Sequence, residues 1–199
     1  MIAIVDYRMG NLRSVENALG RLGAEYTVTS DPGIITSASK VLLPGVGNAA
    51  EAMSNLRNAG LVDVIRGLRK PVLGICIGMQ VLCRYSEEGD TGCIGLFDTD
   101  VRRFTPEPGL KIPHMGWNQV NFTREHPIMK GIKSGSDFYY VHSYHPVVPA
   151  EYSFAETTYG TQTFQGLIGK DNLIASQFHQ EKSGEVGLAM LKNFCDWKV

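Results

Sequence analysis

Through its first half the chain alternates short apolar, β-rich runs with stretches of helical periodicity, a pattern that restricts it to parallel strands joined by crossover helices. Ile2 to Val5 reads as a strand, and Leu12, Val15, Leu19 and Leu22 then recur at helical spacing until Gly23. Glu25 to Thr29 is a second strand and Lys40 to Leu43 a third, stopped by Pro44-Gly45-Val46-Gly47. Helices are expected over 48 to 58 and 61 to 69, ahead of the apolar run Pro71-Val72-Leu73. Beyond about residue 90 the runs shorten: Val101 to Phe104, Gln119 to Phe122, Phe138 to Val141, Ser153 to Thr157, Thr163 to Ile168 and Leu173 to Gln177. Such spacing fits an antiparallel extension of the sheet or a small second sheet. Ser183-Gly184 opens a last helix with Val186, Met190, Leu191 and Phe194 on one face. The expected fold is α/β, an open, mainly parallel sheet flanked by helices with an antiparallel extension, in one domain over residues 1–199.

The sharpest local signal lies where the apolar run 71 to 73 ends. Gly74-Ile75-Cys76-Ile77-Gly78 joins that strand to the amphipathic Met79-Gln80-Val81-Leu82, which puts Cys76 on a tight strand-to-helix turn. Such an elbow pushes its side chain into a cleft, and the helix behind it offers free N–H groups and a partial positive charge. Both favour thiolate over thiol, so Cys76 is placed as a nucleophile. The other cysteines, Cys83, Cys93 and Cys195, show no metal-ligand or redox-pair spacing. Cys83, expected on the helix after the elbow, and Cys195 read as core.

A thiol nucleophile needs a base. Of five histidines, His179 is the best placed, because it follows the apolar strand 173 to 178 and stands at its C-terminal end, the sheet edge where active-site crevices form. Glu181 stands two residues on; in an extended segment side chains at i and i+2 point the same way, so its carboxylate can orient the imidazole, although by spacing alone a surface glutamate is as good a reading. The turn Pro44-Gly45-Val46-Gly47-Asn48 and the amide of Ile77 can supply donors to an oxyanion, though the turn by itself need only end a strand.

Charge excludes other classes. The net charge is −1 with no Lys/Arg block, which gives no support to nucleic-acid or membrane-surface binding. No apolar stretch approaches the roughly 20 residues of a membrane span. The N-terminal run is too short for a secretory signal and lacks a basic flank, so the expected location is the cytoplasm. No histidine pair has a helical metal-ligand spacing, and no metal or cofactor is expected.

Taken together, Pro44-Gly45-Val46-Gly47, Gly74-Ile75-Cys76-Ile77-Gly78-Met79-Gln80 and Phe178-His179-Gln180-Glu181 resemble the class I (triad) glutamine amidotransferases. Asp6-Tyr7 with Gly10-Asn11-Leu12, Pro113-His114-Met115-Gly116-Trp117-Asn118 and Tyr140-Val141-His142-Ser143-Tyr144 narrow the resemblance to the glutaminase subunits of imidazole glycerol phosphate synthase. The resemblance implies that Cys76 attacks the side-chain amide of L-glutamine and forms a thioester, with His179 as base then acid and Glu181 orienting it. It implies an oxyanion hole from Val46 or Gly47 with Ile77, and glutamine binding by Gly45, Gln80, Glu88, His142, Ser143 and Tyr144. It also implies a heterodimer with a (β/α)8-barrel cyclase subunit that receives ammonia through a tunnel, with Asn11, Trp117, Asn118 and Lys182 facing that partner. Two positions depart from the family pattern: Arg8 replaces a common glycine, and Gln180 a common proline. A stand-alone cysteine hydrolase and a non-catalytic binding subunit are the competing readings; the Pro-His-Met-Gly-Trp-Asn and Val-His-Ser-Tyr segments weigh against the first, the intact triad against the second.

Overall fold

The computed structural model describes residues 1–10 and 12–199; Asn11 lies outside the described residues. The elements follow as β1 (Ile2–Val5), α1 (Leu12–Arg21), β2 (Tyr26–Thr29), α2 (Pro32–Ser37), β3 (Lys40–Leu43), α3 (Ala49–Asn58), α4 (Leu61–Gly67), β4 (Val72–Ile75) and α5 (Ile77–Leu82). The second half holds β5 (Cys83–Ser86), β6 (Thr91–Gly92), β7 (Phe97–Arg103), β8 (His114–Phe122), β9 (Ser136–His142), β10 (Tyr144–Val147), β11 (Ser153–Tyr159), β12 (Gln162–Lys170), β13 (Leu173–Ser176) and α6 (Gly184–Asp196).

Nine strands form one sheet in the order β2-β1-β3-β4-β13-β12-β11-β8-β9, parallel from β2 to β13 and antiparallel beyond it. A separate four-stranded sheet, β10-β7-β5-β6, packs beside it, so the late strands build both an extension and a second sheet. β1, β4 and β13 are buried along their whole length, which is why they read as continuous apolar runs rather than alternating ones. α1 turns Val15, Ala18 and Leu19 inward, and α6 turns Gly187, Met190, Leu191 and Phe194 inward. Each Val, Leu, Met or Phe side chain among these contributes roughly 1.5–3 kcal/mol on burial.

Three differences from the sequence reading have local causes. Asp31 accepts from the Ile34 N–H and Pro32 begins the turn, so 32 to 37 is a short capped helix with too few turns to show periodicity. Cys83 starts a strand rather than continuing α5. The helix stops because the N–H groups of Ile94, Gly95 and Leu96 take the carbonyls of Val81, Cys83 and Leu82, which leaves Cys83 extended beside Phe97. Tyr144–Val147 is a strand because it pairs with β7 across a long gap in sequence. Among the described residues, no helix is long and apolar enough to cross a membrane, and no group of three or more His, Cys, Asp or Glu is arranged to hold a metal.

Candidate active site

The C-terminal ends of β3, β4 and β13 lie side by side, and each delivers one part of a cleft. β4 delivers Cys76 at φ +54°, ψ −107°, a conformation L residues rarely adopt and one that turns the thiol away from the strand direction. Close packing holds the elbow: a Cβ on Gly78 would lie 1.9 Å from the Leu43 carbonyl oxygen. β3 delivers the turn. The Tyr7 hydroxyl donates to the Pro44 carbonyl at 2.7 Å, and a Cβ on Gly45 would meet that hydroxyl at 2.4 Å and the Ile77 Cβ at 2.9 Å. Gly47 follows at φ +105°, and Asn48 caps α3 by accepting from the Glu51 N–H.

β13 delivers the histidine. The His179 N–H donates to the Tyr139 carbonyl at 2.9 Å, and the Ser183 hydroxyl donates to the His179 carbonyl at 2.5 Å. Both fix the backbone that carries the ring. His179 Nδ1 and Glu181 Oε1 are 2.7 Å apart, with side chains 1% and 4% exposed. The pair forms through a tight turn and not through i, i+2 alternation, because Gln180–Lys182 is a 3-10 turn rather than an extended segment. Gln180 opens that turn, a position where the family's proline fits without loss of a needed N–H. Arg8 sits at φ +62°, which accounts for the family's glycine there.

Burial alone would lower the His179 pKa, yet the neighbouring Cys76 sulfur, joined by Glu181, holds it up to about 10. Its Nε2 is buried with no full hydrogen-bond partner among the described residues, free for a proton in transit.

A cavity of about 210 Å³ opens between these groups. Cys76, His179, Val46, Gly47, Ile77, Gln80, Glu88, His142, Ser143 and Tyr144 all line it. Glu181 and Gly45 are not part of that lining: Glu181 is bonded to His179 Nδ1, and Gly45 precedes Val46 in the turn. Pro113 and Val141 also line the cavity and carried no chemical signal in the sequence. Gln80, which lines the cavity, has a buried Oε1 with no donor among the described residues. Glu88 accepts from the Ala49 N–H at 2.8 Å, and burial raises its pKa against that bond.

Two side chains differ from their expected use. Both ring nitrogens of His142 are engaged inside the protein, by His114 at 3.0 Å and the Tyr144 carbonyl at 2.9 Å, so only its backbone is left for a ligand. Asn118 turns its amide inward to His114 and the Thr158 carbonyl, because β8 alternates and Asn118 shares the face of His114. Trp117, 57% exposed, and Lys182 converge on Tyr139, with the Trp117 ring 6.1 Å and the Lys182 Nζ 5.9 Å from its centroid. Gln177, which no sequence signal singled out, donates to the Cys76 sulfur at 3.7 Å.

A thiol on a strained elbow, a carboxylate-held imidazole and a cavity with amide donors suit acyl transfer through a thioester, the chemistry of triad amidases. The family model described as glutamine amidotransferase class-I matches residues 3–197, and the chain belongs to that family. Within it, the chain is similar to the imidazole glycerol phosphate synthase subunit HisH of Bacteroides fragilis (strain ATCC 25285), 47% identical over 98% of both chains. The HisH subunits of Dehalococcoides mccartyi (strain CBDB1) and Moorella thermoacetica (strain ATCC 39073) are each 50% identical. They cover 98% and 97% of this chain, and it covers 96% and 93% of theirs. A crystal structure of a glutamine amidotransferase matches the fold with a TM-score of 0.72 at 18% identity over 98% of this chain and 99% of its own. PurLQS from Thermotoga maritima matches at 0.67 and 17%, over 98% and 97%.

Proposed function

We propose that this chain is the glutaminase subunit of an imidazole glycerol phosphate synthase, hydrolysing L-glutamine and passing the ammonia to a (β/α)8-barrel cyclase subunit in histidine biosynthesis. The observation that carries the reading is the Cys76–His179–Glu181 constellation at one end of an amino-acid-sized cavity. The Cys76 thiolate adds to the side-chain carbonyl carbon of glutamine, and the oxyanion takes N–H groups from Ile77 and from Val46 or Gly47. Collapse breaks the C–N bond as the His179 imidazolium gives its proton to the departing nitrogen, leaving a thioester and ammonia. Water then attacks the thioester carbon while His179 takes its proton, and glutamate leaves as the thiol is restored. Glu181 keeps His179 Nδ1 engaged, so that Nε2 is the nitrogen that works. Glu88 and the orphaned Gln80 Oε1 suit the substrate's α-ammonium. The backbones of Gly45, His142, Ser143 and Tyr144 suit its remaining polar groups.

The finer reading is a cytoplasmic heterodimer whose ammonia stays out of bulk solvent. Trp117 and Lys182, stacked about Tyr139, suit a partner-facing patch, since exposed Trp is enriched at binding hot spots. Asn11, expected on the same side, falls outside the described residues.

Replacing Cys76 tests the mechanism. Cys76→Ala is expected to reduce glutamate release by about 10⁴-fold or more, measured with the barrel subunit and its nucleotide present. Co-purification with that subunit should be unaffected. Retained glutaminase activity would remove Cys76 from the chemistry, and failure to bind any barrel cyclase would remove the synthase assignment.

A further inference from the structure

The Cys76 sulfur has a polar neighbour outside the triad. Register places Ile75 beside Ser176 across β4 and β13, so the next residues, Cys76 and Gln177, leave adjoining strand ends. Gln177 is fully buried, and its Nε2 donates to the sulfur at 3.7 Å. Its amide cannot turn over freely, because its Oε1 accepts from Gln80 Nε2 at 3.2 Å. Gln80 Nε2 also donates to the Tyr144 carbonyl at 3.0 Å.

That carbonyl fixes everything on its other side. A carbonyl only accepts, so His142, 2.9 Å away through Nδ1, carries its proton on Nδ1. Its Nε2 then accepts, and His114, 3.0 Å away, supplies an Nδ1 proton. His114 Nε2 therefore accepts from Asn118 Nδ2 at 3.2 Å. Asn118 is pinned by main chain: its Oδ1 accepts from the Gln119 N–H at 2.8 Å, and its Nδ2 donates to the Thr158 carbonyl at 2.9 Å. Backbone groups that cannot exchange donor for acceptor thus anchor the series at the Asn118 end and again at Tyr144.

We propose that these residues form a positioning relay of fixed polarity, in which Gln177 is a further catalytic residue donating to the Cys76 sulfur and His142, His114 and Asn118 hold that donor in place through the Tyr144 carbonyl and Gln80. The proposal rests on the reading of Cys76 as nucleophile. A thiolate is stabilised and aimed by an N–H donor, and a buried polar series with its partners made is rigid in a way a partly satisfied one is not. The aromatic packing of His114 against Tyr140, Tyr159 and Phe164 excludes water that would otherwise compete for these bonds. Burial lowers both imidazole pKa values, His114's to about 4, which agrees with rings carrying one proton each.

The test reads tautomers and sulfur reactivity. In the full-length chain with ¹⁵N-labelled histidine near pH 7, His114 and His142 should both be neutral and protonated on Nδ1, against the Nε2–H preference of free imidazole side chains. An Nε2–H tautomer or an imidazolium at either position would overturn the polarity. Iodoacetamide modification of Cys76, followed by mass spectrometry, reads the other end. Losing one hydrogen bond shifts thiolate population roughly tenfold, and about half of that is returned in nucleophilicity, so Gln177→Leu and His114→Leu should each slow the reaction about threefold. His114→Asn, whose Nδ2 takes the place of the ring Nδ1–H, should restore most of the rate. Parent-like rates in the folded Leu variants, or no rescue by His114→Asn, would reduce the series to core packing. Neither readout uses glutamine, so either failure is separable from failure of the glutaminase assignment.

Discussion

His179 and His114 are both buried imidazoles, and their pKa values move in opposite directions. His179, with Glu181 on its Nδ1 and the Cys76 sulfur nearby, is held near 10 against the desolvation that opposes it. His114, with an amide and a neutral imidazole at its nitrogens and aromatic rings over its faces, falls to about 4. Burial is therefore the shared background and makes a neutral ring the default. What separates a ring that moves protons from one that only holds geometry is the presence of acidic neighbours, here the Glu181 carboxylate bonded to Nδ1 and the Cys76 sulfur close by.

Removing one anionic partner should therefore break the contrast at its strongest point. Glu181→Gln keeps the size of the side chain but replaces the carboxylate that faces His179 Nδ1. Glutaminase turnover should fall by about 10²–10⁴-fold, the range expected when the orienting acid of a triad is lost. The His179 pKa should fall with it. If NMR titration still finds His179 near its parent value in that variant, the sulfur alone supplies the shift and Glu181 only orients.

A smaller effect should appear in stability as pH changes, with a different limb for each ring. His179 binds its proton more tightly folded than unfolded, so its contribution is complete below the ordinary value near 6.5 and is lost as pH rises toward about 10. His114 binds its proton less tightly folded than unfolded. Its folded state is unpenalised above about 6.5 and loses stability as pH falls toward about 4. Urea midpoints measured from pH 4 to 10 should show both limbs. His114→Phe should make only the acid limb shallower, the buried His126 and His142 keeping their share of it, and His179→Phe only the alkaline one; an unchanged acid limb in His114→Phe would mean that this ring does not titrate as its burial implies.

The two rings were not equally legible in the sequence. His179 announced itself because it ends an apolar strand and is followed at short range by a carboxylate, and Cys76 because glycines flank it between a strand and a helix. These are local signals, and the parallel half of the sheet repeats them at β1, β3 and β4. The role of His114 depends on β8 lying against β9, a pairing of distant segments that periodicity does not encode. One part of it was available: His114 and Asn118 are four apart, so on a strand they share a face, opposite to Trp117. Gln177 becomes visible only once β4 and β13 are known to be neighbours in register. The early end of α5 was hidden for the same reason, because the 94 to 96 loop that takes its carbonyls lies outside the helix's own sequence.

A pair at the same separation in a wet medium should matter far less. Arg84 and Asp98 are 2.7 Å apart, the same separation as His179 and Glu181, but their side chains are 57% and 77% exposed rather than 1% and 4%. Arg84 also donates to Asp100, which in turn pairs with Arg102, so losing Asp98 leaves the guanidinium partnered. Water and salt screen such a pair, and holding two exposed side chains in one geometry costs entropy, so equal geometry does not carry equal consequence. Asp98→Asn should leave the urea midpoint and glutaminase turnover within measurement error at physiological salt, with any difference emerging only at low ionic strength. A clear loss of stability in that variant at high salt would mean that the Arg84 network acts through packing or register of the small sheet rather than through charge. Separation in ångströms would then be a poorer guide on this surface than it is beside Cys76.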